Sequence, residues 1–146
     1  MRVMVMVTTT GEDEGKATPT EEMFAAMAAY NEELVKAGVM LDGEGLRPSS
    51  AGAKVILQGG DTSVVDGPFT EAKEIVGGFW IWEVDTFEEA IEWAKRCPTE
   101  GSGGLPGVLE LRQIAEQEDY GDALTPELRE REQQLAERLR ADQSGD

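Results

Sequence analysis

Histidine is absent from this chain of 146 residues, and cysteine occurs once, as Cys97. Without histidine the chain cannot build a Ser-His or Cys-His dyad or a zinc site with histidine ligands. A single cysteine cannot form an intramolecular disulfide, which fits a reducing compartment. We therefore predict no metal and no other cofactor, and the sequence assigns no catalytic residue.

Basic residues are also scarce. Thirteen Lys and Arg stand against thirty Asp and Glu, which leaves a net charge of −17. Such a charge repels phosphate backbones and anionic lipid, so we expect neither nucleic acid nor a membrane as a partner. The acidity is typical of a solvated surface, although a basic protein partner or a high-salt habitat would also suit it.

Long hydrophobic runs are missing as well. The apolar run at residues 3–7 is too short for the core of a signal peptide. No run approaches the roughly 20 residues that a membrane helix needs. With an ordinary apolar fraction of 40%, the chain suits one domain with its own core. We expect a cytoplasmic protein.

Apolar residues that alternate or run together predict six strands. They are expected at residues 3–7, 39–41, 53–57, 62–66, 78–84 and 108–112. Gln58-Gly59-Gly60-Asp61 predicts a hairpin between the third and fourth strands. Asp42-Gly43-Glu44-Gly45 is interpreted as an acidic turn that ends the second strand, and residues 101–107 as a Gly-rich loop.

Three threonines carry helix-start signals. We interpret Thr18 as the N-cap of the first helix, with Glu21 reaching back, and Thr86 and Thr125 as the caps of the other two. Gly38 suits the end of the first helix. That helix is expected to bury one stripe, which consists of Met23, Phe24, Met27, Tyr30, Leu34 and Val35.

The predicted order β-α-β-hairpin-β-α-β indicates an α+β, ferredoxin-like sandwich with an inserted hairpin. Residues 1–120 would form this domain, and residues 121–146 a C-terminal helical extension that the fold does not need. Two helices cover only one face of a sheet, yet residues 3–7 and 79–84 are apolar on both faces. We therefore expect a homodimer in which a second copy covers the other sheet face.

The most specific stretch is residues 66–74, Asp-Gly-Pro-Phe-Thr-Glu-Ala-Lys-Glu. Gly67 is expected to supply unusual backbone angles and Pro68 to fix its own φ, so the stretch predicts a tight reversal. Asp66, Glu71, Lys73 and Glu74 could line a cleft beside Phe69, where a carboxylate can act as an acid or base. Alternatively, Asp66 only caps the turn and Lys73 pairs with an acidic neighbour, which we favour.

This stretch closely resembles the DGPF signature of the YCII-related proteins. Residues 30–34, 37–39, 43–46 and 92–98 also resemble that family, so the resemblance covers residues 3–120. It implies a dimeric α/β barrel of two ferredoxin-like subunits. It also implies extracytoplasmic-function sigma factors as possible partners, and it implies a His–Asp pair in enzyme-like relatives, which this chain cannot form.

Two functions follow from these observations. The first is a small-molecule-binding protein with a cleft near the signature. Its candidate ligand-binding residues are Asp66, Gly67, Pro68, Phe69, Glu71, Lys73, Trp82, Tyr30 and Asp42. The second is a regulatory protein that binds a sigma factor, which an exposed apolar stripe on the C-terminal helix would favour. Trp80 and Trp82 share a strand face, and we favour core or interface over a cleft for them.

Overall fold

The structure is a computed structural model that describes residues 1–99 and 107–145. The described residues form six strands, β1 Arg2–Thr9, β2 Met40–Gly45, β3 Ala53–Gln58, β4 Asp61–Asp66, β5 Ile75–Glu83 and β6 Val108–Gln113. They also form three α-helices, α1 Glu21–Lys36, α2 Phe87–Ala94 and α3 Pro126–Gln143. The chain comprises two compact units, Met1–Gln113 and Ile114–Asp146.

The first unit contains a four-stranded antiparallel sheet in the order β2-β5-β1-β6. The two central strands pair so that Val3 lies opposite Trp82 and Val5 opposite Trp80. Strands β3 and β4 form a separate two-stranded sheet between β2 and β5 in the chain. The α+β, ferredoxin-like fold with an inserted hairpin is therefore confirmed.

One sheet face and the two helices enclose the core. Val3, Val5, Trp82, Leu34 and Ala90 are fully buried. Alternation along β1 and β5 puts Val3, Val5 and Trp82 on the same sheet face. Leu34 comes from α1 and Ala90 from α2. Full burial of each large apolar side chain stabilises the fold by about 1.5–3 kcal/mol, so this face holds the domain together.

The opposite face, which we call the open face, has four apolar side chains at its centre. Met4 lies opposite Ile81, and Met6 lies opposite Phe79. All four are only partly buried. Charged residues flank them on the outer strands, namely Asp42 and Glu44 on β2 and Glu110 and Arg112 on β6.

The hairpin of β3 and β4 turns at Gly59 and Gly60, whose φ angles are 59° and 89°. Two successive positive φ angles are the requirement of a tight I′ hairpin turn, which glycine meets at little steric cost. Every residue of both strands is exposed. The predicted hairpin is thus confirmed, and it contributes nothing to the buried core.

Two of the three predicted helix caps are confirmed. The hydroxyls of Thr86 and Thr125 accept hydrogen bonds from the amides of Glu89 and Leu128, at 3.2 and 3.3 Å. The prediction for α1 was wrong, because Thr20 rather than Thr18 is its N-cap and accepts from the Met23 amide at 3.2 Å. An N-cap hydroxyl accepts from the second or third helical amide, and because α1 begins at Glu21 only Thr20 is spaced to do so.

Two further predictions about the first half of the chain were wrong. Asp42 and Glu44 lie on β2 and not on a turn. Gly43 pairs with Trp80 of β5, and glycine is needed there because a Cβ would lie 2.8 Å from Cδ1 of that side chain. Phe24 and Val35 are 62% and 61% exposed, so α1 buries a narrower stripe than predicted. The predicted Gly-rich loop lies, apart from Gly107, outside the described residues.

The second unit consists of a 3-10 turn, Gln117–Tyr120, and α3. Arg129 of α3 binds the segment that links the 3-10 turn to this helix. Its guanidinium donates to the carbonyls of Leu124 and Gly121 at 3.0 and 3.4 Å. The leucines of α3 form an exposed stripe, which consists of Leu128, Leu135 and Leu139. That residues 121–146 are dispensable for the fold stays a prediction.

Candidate functional site

The reversal after β4 is held by backbone contacts with the short 3-10 turn Ser49–Ala51. The Gly67 amide donates to the Gly52 carbonyl at 2.9 Å, and the Gly67-Pro68 peptide is cis. A Cβ at Gly67 would lie 1.7 Å from the carbonyl oxygen of Ser49. Glycine is needed here because the backbone of Ser49 approaches Gly67 closely. The sequence had led us to expect unusual backbone angles at Gly67, but its φ is not positive.

Ser49 and Glu14 connect the reversal to the loop that follows β1. Ser49 is buried, and its amide and hydroxyl donate to the two carboxylate oxygens of Glu14 at 2.6 and 2.5 Å. The same hydroxyl accepts from the Phe69 amide at 3.1 Å. The Glu14 carboxylate therefore positions Ser49, and Ser49 positions the backbone of Phe69.

The same loop makes a second close contact at Gly11. Its amide donates to the Ala72 carbonyl at 2.8 Å. A Cβ on Gly11 would lie 2.2 Å from the carbonyl oxygen of Phe69. Since real side chains do not approach backbone so closely, residues 69–72 require glycine at this position. The reversal is thus clamped from two directions.

An open cleft of about 440 Å³ lies beside the clamped reversal. Its size is within the range of small-molecule sites. Apolar residues provide much of its lining, namely Leu46, Pro48, Ala51, Phe69, Ile75 and Val76. Its polar lining consists of Arg47, Ser49, Lys54 and Glu74. The end of β2, the start of β3, the reversal and the start of β5 meet here.

Phe69 is the aromatic residue of this cleft. The Lys54 ammonium lies 4.3 Å from the centre of its ring, a cation–π contact between the hairpin and the reversal. Gly52 packs nearby, because a Cβ there would lie 3.9 Å from the Phe69 ring. The ring is partly buried, so one part of it packs on protein and another faces solvent.

Among the sequence-predicted site residues, Phe69 lines the cleft, and Gly67 and Pro68 shape the reversal. Asp66, Glu71 and Lys73 are exposed and do not belong to the lining. Within the described residues, neither the proposed turn cap at Asp66 nor an ion pair of Lys73 is found. Backbone contacts and Ser49 hold the turn instead.

The other three candidates lie elsewhere. Trp82 is fully buried in the core, and its indole N–H finds no hydrogen-bond partner among the described residues. Tyr30 is buried beside Trp80, with the ring centres 5.9 Å apart. Asp42 is exposed on β2 and accepts from the Gly43 amide at 2.8 Å. None of them lines the cleft.

Tyr30 has a structural contact that can be tested. Its hydroxyl donates to the Trp93 carbonyl at 2.7 Å, and burial raises the pKa of Tyr30 well above its usual range. The unfolded chain therefore ionises first, so this stabilisation is complete below about pH 10 and is lost as the pH rises further. We expect Tyr30→Phe to lower the free energy of unfolding by about 1 kcal/mol at neutral pH.

Urea unfolding at neutral pH and at about pH 11 checks this expectation. The deficit of Tyr30→Phe should shrink or reverse at the higher pH, because the variant has no phenol to ionise. Tyr120→Phe is the matched control, since Tyr120 is 61% exposed, and it should change little at either pH. Equal deficits of Tyr30→Phe at both pH values would contradict the role assigned to burial.

The sequence interpretation missed the residues that build the cleft, namely Gly11, Glu14, Arg47, Ser49 and Lys54. Gly11 and Glu14 lie in a polar loop more than fifty residues from Phe69 in the chain, so no local pattern links them. Arg47 and Lys54 carried a usable signal. They are two of only thirteen basic residues in a chain with thirty acidic ones, and they flank Pro48-Ser49-Ser50.

The described residues contain no group of three or more Cys, Asp or Glu side chains placed to hold a metal ion. Ser49 and Glu14 do form a hydroxyl–carboxylate pair next to the cleft, but both carboxylate oxygens are occupied by Ser49 itself. The pair therefore works as an anchor for the reversal. No helix among the described residues has the length and apolarity that crossing a membrane requires.

Comparisons with known proteins agree with this architecture. Residues 1–118 match the YCII-related domain family. The chain is also similar to an uncharacterized protein of Rhizobium meliloti (strain 1021), with 32% identity over 95 residues. That similarity covers 65% of this chain and 75% of the relative. The family match over residues 1–118 includes all six strands and the clamped reversal. The chain therefore belongs to the YCII-related family.

Proposed function

We propose that this protein, as a member of the DGPF-type branch of its family, binds a small molecule in the cleft beside Phe69. The observation that carries the proposal is the cleft itself, about 440 Å³ in volume and lined by apolar side chains with a few polar groups. Sites of this size and composition commonly hold small ligands. The clamp by Gly11, Glu14 and Ser49 supports the proposal, because a preformed wall lowers the cost of ordering on binding.

Native mass spectrometry of the purified protein tests this proposal. We expect the wild-type protein to carry a small ligand whose mass is lost in Phe69→Ala, since the variant loses the aromatic wall of the cleft. Phe24→Ala is the matched control, because Phe24 is exposed on α1 and should leave the bound mass unchanged. A ligand retained in folded Phe69→Ala would contradict the proposed site.

We also propose that two copies assemble through the open face. Four partly buried apolar side chains at the centre of a sheet support this assembly, since a second sheet would bury them fully. A two-fold axis parallel to the strands would bring β2 of one copy near β6 of the other. This sets Asp42 near Arg112 but Glu44 near Glu110, so the apolar centre and not the charge of the outer strands supports the assembly.

A second candidate function is a regulatory protein that binds a sigma factor, and one observation favours it. Leu128, Leu135 and Leu139 of α3 are 39%, 53% and 65% exposed. An exposed leucine stripe on a helix is typical of a surface that packs on another protein. Native mass spectra distinguish the two functions, because a co-purified protein without a small ligand would favour the second.

A further inference from the structure

Positive charge collects at the cleft of a strongly acidic protein. The net charge of the chain is −17, yet the cleft lining contains two cationic residues, Arg47 and Lys54, and one anionic residue, Glu74. Glu14, whose two carboxylate oxygens accept hydrogen bonds from Ser49, is not one of the lining residues. The lining therefore carries an excess of positive charge where the surface as a whole is negative.

Neither cation of the cleft is neutralised by the protein. Ion pairs among the described residues include those of Lys16, Lys95, Arg96 and the N-terminal ammonium. Neither Arg47 nor Lys54 forms an ion pair with any described residue, and Arg47 has no hydrogen bond to one. In a chain with thirty acidic residues, two unpaired cations in one cleft leave donors available to an anion.

The position of Lys54 places its charge next to apolar surface. Its ammonium lies over the Phe69 ring, and the remaining wall includes Leu46, Ile75 and Val76. An occupant that uses both features needs an anionic end and an apolar body. A guanidinium binds a carboxylate through two parallel hydrogen bonds, and an ammonium adds a further charge-assisted bond.

We infer that the cleft binds a small carboxylate with an apolar body, and that Arg47 and Lys54 contact its carboxylate while Phe69 packs against its body. The inference rests on the proposed function, since it names the ligand class of the same cleft. A cationic ligand is disfavoured by the two unpaired cations. A highly charged anion such as a nucleotide is disfavoured by the apolar lining and by the net negative charge of the protein.

Calorimetric titration with three probes of one chain length tests this inference. The probes are octanoate, octanol and octylammonium, which differ only in the charge and chemistry of the head group. We expect octanoate to bind at least about fivefold more tightly than either of the others, as partly exposed charge-assisted contacts commonly give. Lys54→Met and Arg47→Met should each weaken octanoate about fivefold and leave octanol unchanged.

Lys36→Met is the matched control, because Lys36 ends α1 and does not line the cleft; it should leave octanoate binding unchanged. Equal binding of octanol and octanoate, or octanoate binding insensitive to both cleft variants, would overturn the inference and leave the proposed cleft standing. Failure of octanoate to bind at millimolar concentration would also overturn it. The proposed function is contradicted by a different result, namely native mass spectra in which Phe69→Ala retains the ligand mass of the wild-type protein.

Discussion

Gly67→Ala should lower the free energy of unfolding by about 3 kcal/mol or more, since overpacking against a rigid wall lies at the upper end of single-residue effects. The new Cβ would lie 1.7 Å from the carbonyl oxygen of Ser49 and 2.6 Å from its carbonyl carbon. Both are backbone atoms, so no side-chain rotation relieves the clash. The reversal must therefore move away from the 3-10 turn. This movement breaks the hydrogen bond from the Gly67 amide to the Gly52 carbonyl.

Chemical denaturation of the wild-type protein and two alanine variants measures this effect. Gly45→Ala is the matched control, because Gly45 also lies in the first unit and a Cβ there meets nothing within 4 Å. It should change stability by no more than about 0.5 kcal/mol. A Gly67→Ala protein as stable as the control would show that the reversal does not approach Ser49 closely.

Ile81→Glu should convert the proposed dimer into a folded monomer. Ile81 lies at the centre of the open face, between Met4 on β1 and Asp42 on β2. In the dimer the new carboxylate would be buried beside another acidic residue, which costs several kcal/mol. In the monomer it stays in contact with water, because this face is only partly buried. The fold should therefore survive and only the assembly should be lost.

Sedimentation velocity at micromolar concentration reports the subunit count, and circular dichroism reports the fold. Ile91→Glu is the matched control, because Ile91 lies on α2 and is 38% exposed; it should remain dimeric. Trp80 is unsuitable for this test, since it is buried on the core face and a charge there would unfold the chain. A wild-type protein that sediments as a monomer would contradict the proposed assembly.

The succession of strands and helices along the chain could be predicted from the sequence because it depends on local patterns. Alternation at residues 3–7 and 78–84 indicates strands, and Gly59-Gly60 is a strong hairpin signal. Boundaries were less certain where a local pattern competes with tertiary contacts. Asp42-Gly43-Glu44-Gly45 has the composition of a turn, yet pairing with β5 makes it a strand. Its Gly43 is required by Trp80, which lies 37 positions further along the chain.

The candidate site was only partly predictable. Phe69 was identified because it belongs to a specific motif. Arg47, Ser49 and Lys54 join it through the tertiary fold, and the scarcity of basic residues in the chain is the one sequence signal that sets Arg47 and Lys54 apart. Trp82 was a candidate ligand-binding residue for which core or interface was the favoured interpretation, and the register of β5 does turn it into the core.

The separation of the β3–β4 hairpin from the main sheet has a consequence for how the cleft works. All of its residues are exposed, and an isolated two-stranded hairpin is only marginally stable in water. The hairpin can therefore open as a local unit while β1 and β5 stay folded. Because it supplies Lys54, opening removes one wall of the cleft. A ligand of the proposed site would then bind only the closed fraction of molecules, and its apparent affinity would report the hairpin equilibrium as well as the contacts in the cleft.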